Sequence, residues 1–147
     1  MNAEHVLAKL RQYLLIISAG IFVMTVTELF FLSHWNETIQ FLPFALSGLG
    51  LITLAFAYFR PSHGTLSSMR WSMFVIAVCS LIGFYEHMLI NYEFWLEIKP
   101  NATTWDLVKA TLEGANPVLA PGILMLGAVI GLMAIYKHPL LETKSSM

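Results

Sequence analysis

Charge is what this sequence has least of. Asp, Glu, Lys and Arg make up 12% of its 147 residues, about half the share in an ordinary soluble domain. So few charged groups cannot cover the water-facing surface of a domain this size. A soluble enzyme and a disordered tail are therefore excluded. Net charge is small as well, at −1, and leaves no basic footprint for a phosphate backbone. Nucleic acid is not an expected partner. A single cysteine, Cys79, excludes an internal disulfide framework and a multi-thiolate zinc site. It lies among apolar residues and reads as a buried, inert thiol.

Apolar residues are abundant, at 57% of the chain. A membrane helix needs about 20 of them in succession. Four segments meet this: about 13–33, 41–59, 71–92 and 118–136. The first is too long for a signal-peptide core and has no A-x-A-like cleavage site after it, so it reads as a retained helix. Residues 2–12 could be an interfacial helix that runs into it. The segment Arg60-Pro61-Ser62-His63-Gly64 ends the second span and His138-Pro139 ends the fourth, because proline pushes the residue before it out of the helical region. Pro43 and Pro121 fall in opening turns, where a missing N–H costs little. The expected fold is all-α: one polytopic membrane domain, with four transmembrane helices in an up-down-up-down bundle.

The basic residues orient this bundle. Lys9, Arg11, Arg60, Arg70, Lys137 and Lys144 lie on one side, and Lys99 and Lys109 on the other. The positive-inside bias places both termini and the middle loop in the cytoplasm, with the chain in the plasma (inner) membrane. Glu37, Glu93, Glu97, Asp106 and Glu113 lie on the outer side. Tyr13, Tyr58, Trp71 and Tyr136 mark the inner aromatic belt, and Trp35, Tyr92, Trp95 and Trp105 the outer one. In the long outer loop, Thr103-Thr104-Trp105-Asp106 has capping-box spacing. It predicts a short amphipathic helix over 104–113, stopped by Gly114 and Pro117, with Trp105, Val108 and Leu112 on one face. That helix either lies on the outer membrane surface or packs on the bundle as a structured loop. Asn36-Glu37-Thr38 and Asn101-Ala102-Thr103 are glycosylation sequons on the same side.

The chain also repeats itself. At an offset of 78 residues, Pro43, Leu46, Ile52, Leu54, Tyr58 and Pro61 match Pro121, Leu124, Ile130, Leu132, Tyr136 and Pro139. The two prolines and the tyrosine are the informative matches, since Leu and Ile recur in any two apolar spans. The expected halves are about 13–61 and 71–139, parallel repeats about an axis along the membrane normal. Spans one and three align at an offset of 58, which places Glu28 on Glu86.

Those two glutamates are the only acids inside the spans. Each lies roughly 8–9 Å below the outer interface, at 1.5 Å per residue. An acid at that depth should face the bundle interior, pair with another group or be protonated. The repeat suggests that the two face each other across the bundle axis. Helical spacing puts Thr25 with Glu28 and Glu93 with Glu86, forming two polar stripes that lead outward. This intramembrane acidic site, Glu28, Glu86, Thr25 and Glu93, would take an ion, a proton, an amine ligand or a basic partner residue. His34 and His87 could ligate haem or a metal ion, although neither has a diagnostic spacing. Gly127 and Gly131 form a G-x-x-x-G pair for helix packing, inside the bundle or against a partner.

No catalytic triad, HExxH, phosphate loop or CxxC occurs, and Ser18 and Ser80 form no nucleophile–base arrangement. Three readings follow. The first is a non-catalytic accessory or assembly subunit that meets other membrane subunits or copies of itself, through the G-x-x-x-G surface and the outer helix. The second is a small transporter or ion-binding protein that uses Glu28 and Glu86. The third is a haem- or metal-binding redox protein that uses His34 and His87.

Overall fold

The computed structural model describes residues 2–142; Lys144, one of the orienting charges, lies outside them. The chain is all-helical: α1 (Ala3–Phe31), a 3-10 turn (Thr38–Phe41), α2 (Leu42–Phe59), α3 (His63–Ile98), α4 (Thr104–Glu113) and α5 (Ala120–Ala134). The helix starting at Ala3, the turn with α2, and α3 are each long and apolar enough to cross a bilayer. Only 17–28% of the apolar window of each is buried within the chain. Apolar exteriors of this extent are tolerated when lipid covers them, which is the make-up of a helical membrane protein.

Local chemistry explains where the helices begin and end. Asn2 caps α1, its side chain accepting from the Glu4 N–H. The helix then runs through residues 3–31 without a break, so the expected N-terminal helix and first span are one element. It closes in a Schellman motif: the His34 N–H donates to Leu29 and the Ser33 N–H to Phe30. Ser33 takes the left-handed position usually given to glycine, with φ 51°.

Helix α3 is longer than the apolar segment at 71–92. Its 36 residues span roughly 54 Å at 1.5 Å per residue. Ser62 and Thr65 form a capping box that starts it eight residues early. It continues until Lys99, which Pro100 forces out of the helical region. Helix α5 is shorter than the expected 118–136. It has 15 residues because a turn over 135–137 takes up its last part.

Helix α1 packs against α2 and α5, α3 packs against α2 and α5, and α4 packs against α3. Helices α1 and α3 are thus diagonal partners whose backbones do not approach closely. Phe22 of α1 is fully buried among them. Gly50 and Gly127 make room for it: a Cβ on Gly50 would come within 2.9 Å of its ring, and one on Gly127 within 3.4 Å. Met69, Met73 and Ile76 of α3 and Ala128 of α5 complete the fully buried layer. Met24 and Met133 face outward. Cys79 is partly buried against the core.

Candidate functional site

Two ends of the bundle can be distinguished. The basic end carries Arg11, Arg70 and Lys137, and the acidic end carries Glu28 and Glu86. The α5 contacts set the level of the two acids. Gly131 lies against Ser18 of α1 and Met73 of α3, Gly127 against Ile21, and Gly83 against Pro121. Counting outward by helical rise, Glu28 is about level with Pro121, and Glu86 is about one turn farther out. Equal depth was the expectation; the common partner α5 offsets the two by that turn.

Both acids point away from the bundle. Glu28 and Glu86 are exposed, and the backbones of their helices do not approach closely. They do not face each other across the axis. The physical reason is helix phase: the buried stripes run through Leu15, Ser18, Phe22 and Thr25 on α1 and through Met69, Met73, Ile76 and Ser80 on α3, and at about 100° per residue Glu28 and Glu86 fall off both. The proposed stripe on α1 also divides. Thr25 is buried and donates to the Ile21 carbonyl at 2.9 Å, not to Glu28. Glu93 is exposed like Glu86.

The glycines turn inward. A Cβ at Gly127 would meet Ile21 at 3.0 Å, and one at Gly131 would meet Met73 at 3.0 Å and the Ser18 hydroxyl at 3.2 Å. Ser18 itself donates to the Gly127 carbonyl at 2.8 Å. G-x-x-x-G therefore joins α5 to α1 and α3, which closes it as a partner surface. Small residues let backbones approach until a serine can bond a main-chain carbonyl.

His87 and His34 have different surroundings. His87 Nδ1 lies 3.0 Å from the Pro117 carbonyl oxygen. A carbonyl can only accept, so Nδ1 carries the proton and Nε2 is left unbonded by this contact. His34 sits in the turn after α1, half-buried. Among the described residues no three or more His, Cys, Asp or Glu side chains come together as metal ligands.

One turn beyond His87 is a polar node that sequence reasoning overlooked. Asn91, 3% exposed, donates to the carbonyls of Thr111 at 3.1 Å and Asn116 at 2.9 Å. Its Oδ1 accepts from the Asn116 N–H at 3.0 Å. Gly114 makes this possible. A Cβ there would collide with the Asn91 side chain, while its φ of −64° needs no glycine. His87 and Asn91 are four residues apart, so they share one face of α3 and together clasp the segment from α4 to α5. The signal was that i, i+4 polar pair at the end of an apolar run.

Helix α4 occupies residues 104–113, as its capping box predicts. Thr103 accepts from the Asp106 N–H, and the Asp106 carboxylate accepts from the Thr103 hydroxyl at 2.7 Å and its N–H at 3.2 Å. These bonds hold the Asp106 carboxyl below its ordinary range. The helix docks on α3 through the side carrying Thr111, which is buried. Trp105, Val108 and Leu112 stay exposed on the other side. No family model matches the chain, and no curated protein or solved structure matches it either.

Proposed function

We propose that the chain is a non-catalytic subunit of a membrane complex, crossing the plasma (inner) membrane four times with both termini in the cytoplasm. One observation carries this reading: Glu28 and Glu86, acids in long apolar helices, lie on exposed faces. A carboxylate facing lipid is unfavourable, by about 2.5–3.5 kcal/mol for an acid at the bilayer centre and less toward the interface. A neighbouring subunit with basic or polar groups at that level removes the penalty. An internal ion path draws less support. Two cavities, of about 320 and 340 Å³, lie near the basic end and are lined by neither glutamate.

The 2+2 duplication belongs to this reading. Pro43 and Pro121 both stand in the opening turns of their helices, after αR caps without a side-chain bond. Each half contributes one acid to the outside. The exposed Trp105, Val108 and Leu112 face of α4 suits the outer membrane surface beside the partner.

The test is purification in mild detergent with identification of stoichiometric membrane partners. Glu28→Gln and Glu86→Gln should reduce co-purification about tenfold while the chain itself melts unchanged, within about 0.5 kcal/mol. A chain that purifies alone, or variants that retain every partner, would sink the proposal. A pH- or ligand-dependent signal lost in both variants without partner loss would favour ion binding instead. A second reading rests on His87: with Nδ1 held by Pro117, Nε2 is available to haem or a metal whose remaining ligands come from another chain. Purified complex without a Soret band or stoichiometric metal would end it.

A further inference from the structure

The basic end holds a feature that the subunit reading leaves unused. A cavity of about 340 Å³ opens between α3 and the turn that follows α5. Leu132, Ile135 and Leu141 give it an apolar floor, and Arg70, Lys137 and Glu142 also line it. Among the described residues neither Arg70 nor Lys137 is ion-paired, and the one ion pair joins Lys109 and Glu113.

The turn itself is built around a placed cation. Lys137 has φ 45°, a conformation that glycine adopts freely and lysine does not. Arg11 of α1 holds it there, its Nη2 donating to the Lys137 carbonyl at 2.9 Å and to the Tyr136 carbonyl at 3.4 Å. A third positive charge therefore stands behind the other two. His138, next in the chain, is held below its ordinary pKa by burial and then by the charge of Arg11. Strain kept at a lysine, where glycine would relieve it, points to a use for the side chain.

The level of the cavity indicates the ligand. Tyr13, Trp71 and Tyr136 are 61%, 62% and 71% exposed near this end, in the manner of an interfacial aromatic belt. A basic rim over an apolar floor at belt level matches a lipid headgroup above its acyl chain. With Glu142 counted, two cations and one acid suit a single negative charge better than a doubly charged phosphate monoester.

We propose that this cavity binds the phosphodiester headgroup of a singly charged anionic phospholipid, with Arg70 and Lys137 as its ligands and Arg11 as a positioning residue. The site does not depend on the outward acids or on which leaflet it meets.

Native mass spectrometry and melting of the full chain in neutral detergent test it, with phosphatidylglycerol, phosphatidylcholine and inorganic phosphate as probes. Phosphatidylglycerol should stay bound and raise the melting temperature at concentrations at least tenfold below phosphatidylcholine. Inorganic phosphate should not displace it. Arg70→Gln should reduce the preference about tenfold, as for loss of a charged hydrogen bond. Lys137→Gly should raise the lipid-free melting temperature by relieving the backbone, yet reduce the preference. A purely structural lysine would leave the preference unmoved. Equal binding of the two lipids, an unchanged preference in both variants, or displacement by inorganic phosphate would overturn the proposal.

Discussion

Gly127 and Gly131 show how little room single residues have in this bundle. Their missing Cβ atoms leave the space that Ile21, Phe22 and Met73 occupy. Gly131→Leu must push Met73 or Ser18 out of a fully buried layer, and overpacking of this kind costs about 1–3 kcal/mol. The same substitution at Gly48, where a Cβ would meet nothing within 4 Å, should be far milder. Melting of the two variants in one detergent checks the difference. Asn91 has the opposite character, since its value lies in polar bonds. Asn91→Ala strands buried main-chain groups of Thr111 and Asn116, a loss of about 1–3 kcal/mol. The effect should be local: hydrogen exchange over residues 104–119 should rise, while Phe22 and its surroundings keep their protection.

Among the elements, α4 is the most readily perturbed, because one face alone touches α3. Its stability rests heavily on the Thr103–Asp106 box. Thr103→Ala should cost the helix about 1 kcal/mol, seen as faster amide exchange over 104–113 with no change in α1 or α5. Asp106 adds a pH dependence of known sign. Its carboxyl is held below the ordinary 3.8, first by the Thr103 side chain and then by the Thr103 backbone. A lowered folded pKa gives stability that is present above the ordinary value and disappears as pH falls through the folded one. Exchange in α4 should therefore accelerate in strong acid, and Asp106→Asn should remove most of that dependence. Helix α3 behaves differently. Its two ends differ in support: the N-terminal half buries Leu66, Met69, Met73 and Ile76 inside the ring of four helices, while the turns beyond Glu86 carry α4.

For the whole molecule, the helix order and the charge distribution make one checkable statement about topology. With Cys79→Ser as background, Ser62→Cys and Asn101→Cys place thiols at exposed positions on opposite ends of α3. In intact cells an impermeant thiol reagent should label the second and spare the first until the membrane is opened. Equal labelling of both would overturn the proposed orientation. The exposed apolar exterior of α1, α2 and α3 also requires detergent or lipid at every stage, so the chain should aggregate when detergent is withdrawn.

Composition and pattern by themselves determined that this is a helical membrane protein. They also located the apolar segments, the capping box of α4 and the two acids within the spans, because hydropathy, proline and capping chemistry act over neighbouring residues. They did not determine the length of α3, since a polar capping pair at Ser62 and Thr65 extends a helix without any apolar signal. Above all they did not determine direction. Whether Glu28 faces Glu86, whether Gly127 faces a partner, and whether Arg70 lies near Lys137 depend on which helices adjoin. Only the tertiary structure decided that, by placing α1 and α3 on a diagonal with α5 between them. The buried stripes of α1 and α3 left the acids outside, the packing on α5 turned the glycines inward, and cations from distant parts of the sequence came to one end.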